Sequence, residues 1–366
     1  MKKFSFILAI SMLAFVLAAC GSGDSQGSGE EPTETVTVEH ELGTTEVPKN
    51  PENVVVFDFG ILDTLDQLGI PVSGVVQSST IPSYLEEEYS SDEYTNIGAL
   101  KEPDFEAIAN EDPDLIIISG RQSSVYDQLS EIAPTIHLAT DNQNYMESFK
   151  ENMNVIGQIF DKQDEIDQAL TAIDEQIAEV QDKAESLGLN AMILLANGDS
   201  ISAYGQGSRF GIIHDVLGVP ATDQNIDSAT HGMSVSFEYV MQNNPDILYV
   251  IDRAAVISSG ESQSTAQQLI ENELVEGTNA AQNDNIFYLD PSTWYLSGGG
   301  LQSVSQMVSS INDSLDQAAA NTEGAEQGSG SEESQSGAES ESEENSSEGS
   351  EESAGSESSE ESGSEQ

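Results

Sequence analysis

Three arginines, Arg121, Arg209 and Arg253, are the only guanidinium groups in a chain of 366 residues that carries 66 acidic and 10 basic side chains. A guanidinium is a planar, permanently charged fork, suited to gripping a ligand that presents several anionic oxygens. Two of the three stand at the same place in a repeated pattern. Phe105-Glu106, six residues, Pro113-Asp114, six residues and Arg121 are matched without a gap by Phe237-Glu238, six residues, Pro245-Asp246, six residues and Arg253. For any one arginine the ordinary alternative is an ion pair with one of the abundant carboxylates. A shared position in two distant stretches favours use, because self-similarity at long separation signals a duplicated unit.

Each repeat reads as a helix opened by Phe-Glu and stopped by Pro-Asp. An apolar strand follows, Leu115 to Ile118 or Ile247 to Ile251, with the arginine just past its carboxyl end. In open α/β sheets ligands bind outside the carboxyl ends of the strands. The expectation is an α/β protein of two lobes facing each other across a cleft, each supplying one guanidinium.

Other stretches support that layout. Asn53 to Phe57, Val72 to Val76 and Thr135 to Leu138 are strand-like runs, and Ile61 to Leu68, Phe105 to Asn110 and Val125 to Ile132 are helical. Alternating strand and helix imply a parallel sheet. Val36 to Val47 alternates around Gly43 as a hairpin. From Tyr145 to Leu187 apolar residues recur at helical spacing, a length that one lobe cannot hold as a single helix. A break is expected near Asp161, as N-cap of a second helix that bridges the lobes. Ala191 to Ala196 then opens the second lobe, Gly198 to Gly207 reads as turns, Arg209 to Leu217 as helix, and Leu301 to Leu315 as the closing helix. The resulting boundaries are 36–142 for the first lobe, 143–189 for the linking helices and 190–318 for the second lobe.

The termini differ from the body. Lys2 and Lys3, then an apolar run from Phe4 to Ala18, have the layout of an export signal over 1–19. Leu17-Ala18-Ala19-Cys20 before Gly21 resembles a lipobox, which implies lipidation of Cys20. An ordinary secretory signal is the alternative. Residues 20–35 read as a flexible tether. Cys20 is the single cysteine, so no internal disulfide can form. Residues 319–366 are Ser, Glu and Gly with almost nothing to bury and are expected to be disordered. The net charge of −56 excludes nucleic acid as a partner. Whether this acidity reflects a saline or alkaline habitat or simple self-repulsion stays open.

The two repeats, Gly207-Ser208-Arg209-Phe210-Gly211, His231-Gly232, and Trp294-Tyr295 before Gly298-Gly299-Gly300 together resemble the iron-siderophore substrate-binding lipoproteins of bacterial ABC importers, most of all the catecholate, petrobactin-type members. The resemblance spans roughly residues 36 to 316. It implies a helical-backbone periplasmic-binding-protein fold, two Rossmann-like lobes joined by a long helix. Arg121, Arg209 and Arg253 would form a basic patch for a trianionic ferric complex. His231 and Tyr295 would complete the coordination of ferric iron where a siderophore leaves positions open, and Trp294 would line the ligand or the core. Glu106 and Glu238, one per lobe, would dock on a permease dimer with its ATPase. The implied protein is a monomer with no intrinsic cofactor, lipid-anchored on the extracytoplasmic face of the cell membrane. The same fold could instead hold haem or a corrinoid, with His231 or Tyr295 as axial ligand. An enzyme lacks support: there is no Gly-x-Ser-x-Gly elbow, zinc-protease motif or phosphate loop. His40, His137 and His214 read as structural.

Overall fold

The structure, a computed structural model, describes residues 34–226, 229, 231–257 and 265–332, with side chains to 322. The export signal, Cys20, all but the last two residues of the tether, and 333–366 lie outside the described residues. The chain divides into two compact units, Met1–Asp174 with Ser292–Ser305, and Glu175–Pro291 with Gln306–Gln366.

In the first unit β1 (Thr35–His40) and β2 (Gly43–Pro48) form the expected antiparallel hairpin. The main sheet joins β3 (Val54–Val56), β4 (Gly74–Val75), β5 (Thr95–Asn96), β8 (Leu115–Ile118) and β9 (Thr135–His137), while β6 (Gly98–Ala99) and β7 (Glu102–Pro103) pair separately. Its order is β5-β4-β3-β8-β9, and every pairing is parallel. β3 and β8 are at most 2% exposed along their whole length, which is why they read as unbroken apolar runs rather than alternation: both faces of the sheet are covered. Each such side chain contributes roughly 1.5–3 kcal/mol by leaving water. The hairpin lies along edge strand β9, where Thr45 Oγ1 donates to the Thr135 carbonyl at 2.8 Å.

The helical stretch breaks where expected, into Tyr145–Phe160 and Gln163–Leu187. Asp161 does a different job from the one anticipated. It ends the first helix in the left-handed conformation, φ 51°, and its carboxylate accepts from Lys49 Nζ and Asn50 Nδ2 instead of capping the second helix. A short polar side chain tolerates that backbone region, so the αL position outweighed the N-cap role. The division between the units falls inside the second helix, at Asp174.

The second unit holds β10 (Ala191–Asn197), β11 (Ser200–Tyr204), β12 (Met233–Val235), β13 (Ile247–Asp252) and β14 (Ile286–Leu289), in the order β12-β11-β10-β13-β14. β10, β13 and β14 are parallel, whereas β11 runs antiparallel to both its neighbours. The stretch expected to be turns therefore contains a strand. Asn197-Gly198-Asp199-Ser200 makes a two-residue hairpin turn with Gly198 at φ 59°, and Ile201 and Ala203 then bury into the core. Only Ile212–Asp215 of the expected 209–217 helix is α-helical. The closing helix runs from Leu301 through Glu332, past the expected boundary of a disordered tail. Asn321 Nδ2 there donates to the Asp284 carbonyl and to Asn285 Oδ1, which ties this part of the helix to the β14 side of the unit. Among the described residues no helix is long and apolar enough to cross a membrane.

Candidate functional site

The two repeats fold alike. Helices Phe105–Glu111 and Phe237–Asn243 each end on a left-handed residue, Asp112 at φ 51° and Asn244 at φ 44°, directly before the proline. The aspartate after each proline clamps the start of the neighbouring central strand. Asp114 Oδ2 accepts from the amides of Glu52 and Asn53 at 3.0 and 2.9 Å, ahead of β3. Asp246 Oδ2 accepts from the amide of Asn190 at 3.2 Å, ahead of β10, and Oδ1 accepts from Asn279 at 2.9 Å. Register follows from these clamps: Leu115 pairs with Val54, and Ile247 with Ala191. Counting six residues from either strand start reaches Arg121 or Arg253, each just beyond the carboxyl end of its strand.

At the end of β8, Gln122 is buried and fixes the turn, accepting from the Ser119 amide and donating to the Leu100 carbonyl. Arg121 is left 24% exposed, with Nη1 at 3.8 Å from Asp58 Oδ2, itself 17% exposed. Asp58 follows β3 and caps helix Phe59–Gln67, Oδ1 accepting from the amides of Gly60 and Ile61 at 2.9 and 3.1 Å. At the end of β13 the Arg253 amide donates to the Ala196 carbonyl, and Nη1 donates to Asn197 Oδ1 at 2.7 Å. In both units, then, the repeated arginine meets a side chain from the carboxyl end of the adjacent central strand.

Arg209 is placed differently. It follows β11, an antiparallel strand, in a turn that Gly207 enters at φ 65° and that the Asp215 carboxylate closes by accepting from the Gly207 amide at 2.6 Å. Phe210 is fully buried and packs edge-on against Tyr204, centroids 4.7 Å apart, while the Arg209 guanidinium lies 5.7 Å from the Phe210 ring centroid. That is cation–π distance. The same Tyr204 ring supports the next loop, since a Cβ on Gly232 would come within 2.8 Å of it and φ there is 70°. His231 is exposed on this loop. One buried tyrosine thus underlies both the Arg209 turn and the His231 loop.

Tyr295 belongs to the first unit, in a π-helical turn, Ser292–Leu296, closed by Ser297 N donating to the Ser292 carbonyl at 3.1 Å. Such turns widen the helix by one residue and often mark functional positions. Tyr295 is half-buried beside Trp294, which is 3% exposed and part of the core. The segment is anchored by Asp63, a carboxylate 1% exposed that accepts from the amides of Gln302 and Ser303 at 2.9 and 2.8 Å and from Tyr84 Oη at 2.7 Å. Burial outweighs these hydrogen bonds and pushes its carboxyl up to about 6. Gly60 and Gly300 allow the segment to approach helix Phe59–Gln67, because a Cβ on either would strike the other strand of chain.

Glu106 and Glu238 are exposed at the second position of their equivalent helices, and the Ser236 hydroxyl holds the Glu238 carboxyl below its usual range. Among the described residues no group of three His, Cys, Asp or Glu could hold a metal ion by itself. His137 and His214 are buried and His40 is half-buried; burial lowers the pKa of all three.

Asp58, Asn197, Tyr204 and Asp63 did not emerge from the sequence. Asp58 before a helical run and Asn197-Gly198 before alternating residues are legible as a cap and a hairpin turn. Nothing local says that they meet the arginines.

Comparison with known proteins agrees with this architecture. The chain is 49% identical over 322 residues to petrobactin-binding protein YclQ of Bacillus subtilis, covering 87% of this chain and 100% of that one. It is 32% identical over 300 residues to ferric-anguibactin-binding protein FatB of Vibrio anguillarum, covering 81% and 92%. The crystal structure of YclQ superposes with a TM-score of 0.74 at 51% identity, over 77% of this chain and 99% of that chain. The catecholate-siderophore binding protein VctP of Vibrio cholerae gives a TM-score of 0.72 at 36% identity, over 76% and 100%. The profile described as periplasmic binding protein matches residues 54–293. With its duplicated α/β units and full-length similarity to these proteins, the chain belongs to the periplasmic binding protein family.

Proposed function

We propose that this chain captures a ferric siderophore of the catecholate, petrobactin-like class and delivers it to an ABC permease for iron uptake. The observation that carries the reading is the 49% identity to a petrobactin-binding protein across that protein's entire length. The chemistry supports it. A ferric tris-catecholate is a trianion, and in a chain of net charge −56 its counter-charge has to be local. Arg121, Arg209 and Arg253 supply it as three permanent cations. His231 and Tyr295 bring imidazole and phenolate, both suitable for ferric iron, where a tetradentate siderophore leaves positions open. Iron is cargo in this account, and the chain performs no chemistry on it.

Glu106 and Glu238 dock on the two permease subunits, one acid from each copy of the repeat matching a two-fold partner. Lipidation at Cys20 holds the protein at the extracytoplasmic face of the membrane, where it works as a monomer. Replacing both glutamates by glutamine should leave ligand affinity intact and abolish uptake. Normal uptake by that double variant would remove the docking role.

Fluorescence titration with ferric catecholate, hydroxamate and carboxylate siderophores and with haem tests the cargo. Trp294, the only tryptophan, adjoins Tyr295 and should be quenched by a bound iron chromophore. Tight quenching by ferric catecholate is expected. Response to haem alone, with a Soret band, would transfer the fold to a different cargo.

A further inference from the structure

We propose that Asp58 tunes the charge preference of the site by lowering the positive field at Arg121. The inference rests on the reading of Arg121 as a ligand-binding group.

Asp58 is fixed by its local structure. Oδ1 is engaged as N-cap by the amides of Gly60 and Ile61, and Gly60 is packed so closely that a Cβ there would lie 2.8 Å from the Ser297 carbonyl oxygen. The capping geometry leaves Oδ2 on the side of Arg121. The separation of 3.8 Å to Nη1 decides what the contact can do. It exceeds hydrogen-bond length, so the carboxylate does not orient the guanidinium through a directed bond. Coulomb interaction falls only slowly with distance, and with both groups largely screened from solvent a full negative charge at 3.8 Å offsets much of what Arg121 offers to an anion.

The equivalent position in the second unit has the opposite character. Asn197 Oδ1 accepts from Arg253 Nη1 at 2.7 Å, a directed bond from a neutral amide. Asn197 orients its arginine and adds no charge. Asp58 adds charge and orients little. A trianionic ligand at Arg121 must therefore also face Asp58, while a ligand of lower charge is penalised less. Asp58 thus sets how strongly the site prefers highly charged complexes.

Asp58→Asn tests this, because asparagine caps a helix as well as aspartate and removes only the charge. The purified protein and the variant are titrated with ferric tris-catecholate at low and high salt, with thermal unfolding as the check on folding. The variant is expected to bind about tenfold tighter at low salt, the size expected of removing one nearby charge, with the gain shrinking at high salt. Unchanged or weaker affinity at low salt, with the unfolding midpoint preserved, would overturn the inference, a weaker affinity making Asp58 an orienting partner instead. If the unsubstituted protein bound no ferric siderophore, the siderophore reading itself would fail and this inference with it. Tight binding by the unsubstituted protein with no gain in the variant would defeat the role of Asp58 alone.

Discussion

Arg121 and Arg253 stand at the same step of two copies of one pattern, and the two copies hold them by different means. In the first unit a carboxylate that also caps a helix lies 3.8 Å from Arg121; in the second the Asn197 amide oxygen accepts from Arg253 at 2.7 Å. The backbone framework is shared down to the left-handed residue before each proline and the aspartate clamp after it. A duplicated framework therefore fixes where the charged group goes. The side chain facing it, free to differ between copies, adjusts what that charge is worth to a ligand.

The contrast extends to pH, where the largest effect is expected. The first unit places a second carboxylate, Asp63, in its interior, and burial raises its carboxyl from 3.8 to about 6. A raised folded-state pKa means that the native protein holds the proton more tightly than the unfolded chain. The associated stability is present below about pH 4 and is lost as pH rises through about 6, by on the order of 2–3 kcal/mol. Urea unfolding between pH 4 and 7 should show this slope, and Asp63→Asn should flatten it. An identical slope in the variant would mean that the charge difference between the units lies elsewhere.

The shared framework can be tested next. Asp246→Ala strands more hydrogen-bond donors than Asp114→Ala, in a less exposed setting. We expect losses of about 2–3 and about 1–2 kcal/mol respectively in urea unfolding. Equal losses would remove the asymmetry between the clamps.

Asn197→Asp would place a carboxylate beside Arg253, as Asp58 stands beside Arg121. It should weaken ferric tris-catecholate binding about tenfold at low salt, with less effect at high salt. A further effect concerns the histidines. Burial lowers the pKa of His40 and His137 in the first unit and of His214 in the second. Their contribution is present above pH 6.5 and is lost as pH falls through the lowered values, opposite in sign to Asp63. His214→Gln should reduce the acid-side loss, read as a shallower fall in urea-unfolding stability below pH 6.5.

Much of this framework was legible because it is local and periodic. The apolar runs of β3, β8, β10 and β13, the Phe-Glu helix starts and the Pro-Asp stops are each written within a few residues. The break at Asp161 was legible too, but its role was not, since Lys49 and Asn50, more than 110 residues away, take up the carboxylate. Strand β11 was missed because glycines at both ends suggested turns, although Ile201 and Ala203 alternate with polar residues as a strand requires. For the candidate site, the arginines were legible from their spacing and their surroundings were not. Asp58 meets Arg121 across 63 positions, and Asp63 accepts from Gln302 across 239. Such pairs depend on which strands become neighbours, which no single stretch encodes.

The central claim is that the repeated arginines read the charge of an anionic iron complex. Its most direct test is the dissociation constant of ferric tris-catecholate for Arg121→Ala and Arg253→Ala at low salt, with unfolding midpoints measured in parallel. Each substitution is expected to weaken binding by about a hundredfold, as when one partner of a largely desolvated charge pair is removed, while the midpoints barely move. Unchanged affinity in both variants would contradict the account.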